Sequence, residues 1–113
     1  MRIMIVDGNA EMRAMIRHVV RGLCDEVFEC QSGEEAMVVY DHWKPDLMLM
    51  EMQLPGMDGI DTMQSIMRSD PAAHVVFVTD IDAVTCRQGA LNSGAMAVFS
   101  KENLIGLQKY IMQ

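Results

Sequence analysis

An α/β fold, with one parallel sheet of five strands and helices on both of its faces, is what this sequence predicts. Three observations carry the prediction. Short apolar runs recur five times, each followed by a segment whose apolar spacing turns helical. One run, LMLM at 47–50, has no polar alternation, as a central parallel strand covered on both sides requires. The length, 113 residues, suffices for one core and no more, so a single domain with a single site is expected.

The first run, RIMIV at 2–6, halts at Asp7-Gly8-Asn9, and from Met12 the residues Met12, Ile16, Val19, Val20 and Leu23 share one helical face. The opposite face carries Arg13, Arg17 and Arg21 at four-residue spacing. By default such a stripe is a solvated face; in the sharper reading it docks an acidic partner. DEVFEC at 25–30 is the second strand, and Ser32 with Glu35 three residues on forms a capping box for a helix that Pro45 stops after Trp43.

LMLM is the third strand, followed by a short helix over 61–67 with Ile60, Met63 and Ile66 or Met67 inward, ended by Asp70-Pro71. HVVFVT at 74–79 is the most β-branched run and the fourth strand; Asp82 caps the helix after it, which runs to Leu91, and Gly94 turns the chain. AVFS at 97–100 is the fifth strand, and Leu104, Leu107 and Ile111 line the last helix.

Composition narrows the function. Nine basic residues against sixteen acidic ones give a net charge of -7 and a pI near 4.7, which opposes binding to nucleic acid or to anionic lipid. No run approaches the roughly 18 apolar residues of a membrane helix. Three cysteines at no metal-binding spacing, in a chain with no signal peptide, imply reduced thiols and a cytoplasmic location. His18, His42 and His74 fall on separate elements, which gives a zinc site little support, and no GxSxG motif supports a hydrolase. The thirteen methionines are scattered and read as adaptable core filler.

In a parallel sheet of this kind ligands bind beyond the carboxyl ends of the strands. Those ends carry Asp7, Glu51, Thr79-Asp80 and Lys101. Each residue alone has a structural reading as a cap or strand former; their joint placement points to a site.

With these residues in view, the whole chain resembles the receiver domain of bacterial response regulators. The matching segments are IMIVDGN, SGEEAM, KPDLMLMEMQLPGMDGI, VVFVTD and GAMAVFSK, of which PDLMLMEMQLPGMDG is the most specific. The resemblance implies a doubly wound, flavodoxin-like sheet in the order 2-1-3-4-5 and one receiver domain over 1–113 with no output domain. It implies membership of a two-component phosphorelay, in which a sensor kinase histidine passes a phosphoryl group to an Asp at the end of the third strand. Mg²⁺, a hydroxyl and a lysine then manage the charge.

Carried onto this chain, the resemblance places Asp7 at the first acid of the metal-binding pair and Glu51 at the phosphoacceptor. Thr79 is the hydroxyl, Lys101 the cation, and Gln53 would offer a backbone carbonyl to the metal. The chain departs from the pattern at several points. Gly8 replaces the second acid. Glu51 is one methylene longer than Asp, about 1.5 Å, and misplacements near 1 Å cost on the order of 100-fold in rate. Asp80 crowds the phosphate position, Val98 takes the place of the aromatic switch residue, and Glu102 that of a proline.

The expectation is therefore a non-enzymatic, atypical receiver that acts by protein–protein interaction without phosphorylation, with Glu51 meeting Lys101 directly and Mg²⁺ bound weakly at best. Whether Glu51 mimics an active or an inactive state stays open. The alternative keeps the chemistry, with Glu51 accepting a phosphoryl group with Mg²⁺ held by Asp7 and Asp80. A flavin carrier is disfavoured because DGNAEM lacks a Ser or Thr phosphate loop. Expected partners are a sensor histidine kinase or a downstream target, meeting helix 1 and the face formed by 84–112, and a second copy of the chain.

Overall fold

The computed structural model describes residues 1–80 and 84–113. Five strands, β1 (Arg2–Val6), β2 (Glu26–Cys30), β3 (Leu47–Met50), β4 (Val75–Thr79) and β5 (Ala97–Ser100), alternate with α1 (Ala10–Val20), α2 (Gly33–Trp43), α3 (Gly59–Ser69), α4 (Val84–Asn92) and α5 (Leu104–Met112). The sheet has the order β2-β1-β3-β4-β5 with every pair parallel, the flavodoxin-like arrangement expected. β1 and β3 lie side by side, Val6 opposite Met50, which brings the residues after both strands to the same edge.

The alternation of side chains along the strands builds one core on each face. On one side Ile3, Ile5, Leu49, Val76 and Val78 pack with Ile16, Val20 and Leu107, so α1 and α5 cover that face. On the other, Met4, Val6, Met48, Met50 and Phe77 pack with Tyr40, Met63 and Ala90, which places α2, α3 and α4 there. Methionine is unevenly shared. Met4, Met48, Met50, Met52 and Met63 are all buried in the second core, whereas the first has only the half-buried Met12 at its margin.

Several helix limits differ from the sequence reading, each for a capping reason. α1 starts at Ala10 rather than Met12 because the Asn9 side chain accepts the Met12 N–H at 2.9 Å. It ends at Val20, so Leu23 lies in the turn beyond it, where Gly22 adopts φ 84°. α3 starts at Gly59, because the Asp58 carboxylate accepts the Asp61 N–H at 2.9 Å. Ser32 accepts the Glu35 N–H at 3.1 Å, as the expected box requires on that side. The Asp82 cap lies outside the described residues.

The expected arginine stripe is also corrected. Arg13 turns inward, its side chain only 12% exposed, and both Arg13 and Arg17 bind Glu29 of β2 at 3.0 and 2.6 Å. Among the described residues no helix is long and apolar enough to cross a membrane.

Candidate functional site

The backbone fixes this site before any side chain does. Asp7 donates its N–H to the Cys30 carbonyl (3.1 Å), Glu51 to Val6 (2.9 Å) and Lys101 to Thr79 (3.2 Å), so each of these three residues is tied to a neighbouring strand. α3 approaches closely because residue 59 is glycine. A Cβ there would stand 2.4 Å from the Glu51 carbonyl and 2.8 Å from the Phe77 ring, and the Gly59 N–H reaches the Met52 carbonyl at 2.8 Å.

Within this frame Asp7 and Glu51 are buried, 3% and 6% exposed, and Lys101 reaches both. Its Nζ lies 3.0 Å from Glu51 Oε1 and 3.1 Å from Asp7 Oδ2. The second oxygen of each carboxylate is held by main chain: Glu51 Oε2 accepts the Met52 N–H (2.7 Å) and Asp7 Oδ1 the Asn9 N–H (2.8 Å). Among the described residues Asp7 Oδ2 has no hydrogen-bond partner of good geometry and is met by the ammonium through charge. Burial works against the Lys101 ammonium, but the carboxylates of Glu51 and Asp7 outweigh it and hold its pKa above the ordinary lysine value.

The structure thus gathers Asp7, Glu51 and Lys101 into one cluster. Thr79 is buried beside it, with its carbonyl engaged by Lys101. Asp80 and Gln53, which follow Thr79 and Glu51 in the chain, are exposed. Val98 faces inward, 5% exposed in the core next to α4, so its side chain offers no surface to a partner. Gly8 supplies no ligand, and a Cβ on it would already press on the Pro55 ring at 3.3 Å.

Sequence reasoning missed Arg13. Its Nη1 donates to the Asp7 carbonyl at 2.7 Å while its Nε holds Glu29, which braces the β1–α1 turn from β2. No local pattern announces this, since the three residues are brought together only by the β1–β2 pairing. The Cys30 thiol lies under the same turn; burial and the nearby Glu35 push its pKa to about 12, so it is inert at neutral pH.

A doubly wound parallel sheet with buried acids and a lysine meeting beyond its strand ends is the architecture of a receiver-type signalling domain. The family model of the response regulator receiver domain matches residues 3–111, and the chain belongs to that family, whose members work in two-component signal transduction with kinases and downstream effectors as protein partners. Among curated relatives, the chain is 33% identical over 96 residues to the chemotaxis protein CheY of Listeria monocytogenes, covering 84% of this chain and 81% of that protein. It is 34% identical over 95 residues to CheY of Thermotoga maritima, covering 83% and 79%. The response regulator domain of Thermotoga maritima CheB superposes with a TM-score of 0.88 at 22% identity, covering 100% of this chain and 94% of that one, and shares the fold.

Proposed function

We propose that this receiver domain is a phosphorylation-independent binding module rather than an enzyme, its acidic site neutralised from within by Lys101. The observation that carries the reading is the ammonium placed within 3.0 and 3.1 Å of the two buried carboxylates. Two anions taken out of water need compensation of several kcal/mol each, and an ammonium between them supplies it without a cation from solution.

The residues present do not fit a Mg²⁺ site. Mg²⁺ requires near-octahedral oxygen ligands, usually one or two carboxylates with waters and phosphate oxygens. Here Gly8 contributes no carboxylate, and the ammonium already stands against one oxygen each of Asp7 and Glu51. The longer Glu51 side chain, bent back onto the Met52 N–H, is also displaced from where an Asp carboxylate would meet a phosphorus centre.

Partners are then recognised by standing surfaces, the α4–β5–α5 face and α1, in the kinase, the downstream target or a second copy. A cytoplasmic location accords with free Cys24, Cys30 and Cys86. Incubation with Mg²⁺ and acetyl phosphate, read by intact mass, tests the proposal. No mass gain is expected; a phosphoryl adduct that disappears in Glu51→Gln overturns it in favour of Mg²⁺-dependent phosphoacceptance on Glu51.

A further inference from the structure

At the end of the sheet opposite Asp7 and Lys101, where α1 finishes and β2 begins, the turn between them frames a cavity of about 200 Å³ lined by Arg17, Arg21, Gly22, Cys24, Asp25 and Val27. It is below the roughly 300–1,000 Å³ of small-molecule sites, a size that suits one side chain rather than a nucleotide or cofactor.

The charges around it do not cancel. Asp25 is paired with the amino terminus and Glu26 with Arg2 at 3.3 Å, while the single carboxylate of Glu29 serves both Arg13 and Arg17. Arg21 is exposed and has no ion-pair partner among the described residues. Of the charged groups that line the cavity, Asp25 is thus met by the amino terminus and Arg17 by Glu29, which leaves Arg21 as the cation without a counter-charge among the described residues, on a chain whose net charge is -7. Burial raises the pKa of the Cys24 thiol, so that side chain adds no negative charge to the wall beyond the Asp25 carboxylate. Arg17 is held in place by Glu29 at 2.6 Å with 44% of its side chain still exposed, which leaves it oriented and accessible at once.

We infer that this cavity is a docking point for an acidic peptide segment of a partner protein, one Glu or Asp side chain of which enters between Arg17 and Arg21. The inference rests on the reading of the domain as a binding module and adds a class of partner to it. Arginine suits the task because its planar, permanently charged fork meets a carboxylate with two parallel donors.

The test is a titration of the isotope-labelled full chain with a capped tetraglutamate peptide, followed by amide chemical shifts. Saturable shifts confined to residues 17–27 are expected. They weaken at least about tenfold in Arg21→Glu, persist in Lys109→Glu, and fade with added salt as expected for exposed charges. A capped tetraglutamine peptide should leave the spectrum unchanged. The inference is overturned by the absence of localised shifts, by equal loss in Lys109→Glu, or by a response to inorganic phosphate with none to the peptide. Because the phosphoryl-mass assay reads Glu51 at the other end of the sheet, either result can fail without the other.

Discussion

The Nζ of Lys101 stands 3.0 Å from Glu51 Oε1, and this one contact ties the end of β5 to the end of β3 across the intervening strand β4. A second contact, to Asp7 at 3.1 Å, extends the tie to β1. Removing the ammonium leaves two buried carboxylates facing each other. Lys101→Met should therefore destabilise the domain at neutral pH by about 3 kcal/mol or more, measured by urea denaturation. Millimolar Mg²⁺ should restore part of that loss in the variant and leave the parent protein unaffected, since only the variant offers both carboxylates to a metal.

The same lysine sets an alkaline limit. Its pKa in the folded state lies above the ordinary value of 10.5, so its contribution is complete below that value and lost as pH rises through the raised one. Urea midpoints should fall in strongly alkaline solution for the parent protein, and Lys101→Met should lack this component of the fall.

At the acid end Glu29 behaves in the opposite sense. Burial opposes its ionisation, but Arg17 and Arg13 outweigh burial and hold its pKa below the usual carboxylate value. Its stabilisation is present above that value and disappears as pH falls through the lowered one. Glu29→Gln should therefore lower stability at pH 7 and reduce the acid-induced loss, checked by thermal melts across pH.

Two glycines should respond oppositely to alanine. A Cβ on Gly33 would lie 2.0 Å from Thr62 Oγ1, so Gly33→Ala forces α2 from α3 and should cost roughly 1–3 kcal/mol. Adding Thr62→Ala removes the offending hydroxyl, and the double variant should be more stable than the sum of the singles predicts. A Cβ on Gly89, inside α4, would meet none of the described residues within 4 Å, and Gly89→Ala should stabilise by about 0.5–1 kcal/mol.

The departures at the site should be reversible together. Gly8→Asp with Glu51→Asp restores an acidic pair and a shorter acceptor, and Mg²⁺ affinity, read by quenching or calorimetry, should rise at least about tenfold. Pro55 must give by a few tenths of an ångström to admit the new side chain at position 8.

Much of this was legible in the residues themselves. The unbroken LMLM run marked β3 as covered on both sides, and all four of its residues are buried. The meeting of Glu51 with Lys101 followed from resemblance, because the ends of β3 and β5 are fixed by the shared sheet order. What escaped the sequence depends on contacts between distant segments. Arg13 has the spacing of a solvated stripe, and only the pairing of β2 with β1 brings Glu29 beneath it. The true start of α3 is hidden because Pro55-Gly56 is a loop signal that masks the Asp58 cap. Val98 has the sequence position of an altered surface switch, and its burial depends on its register opposite Phe77.

The uneven division of methionine gives the two halves of the molecule different chemical weaknesses. The layer beneath α2, α3 and α4 is filled with thioethers, whereas that beneath α1 and α5 is branched hydrocarbon. Oxidation to sulfoxide would insert dipoles chiefly into the thioether layer, since the other has only Met12 at its margin. Peroxide damage should thus loosen the helices on that side first, while the pair on the other keeps its grip on the sheet.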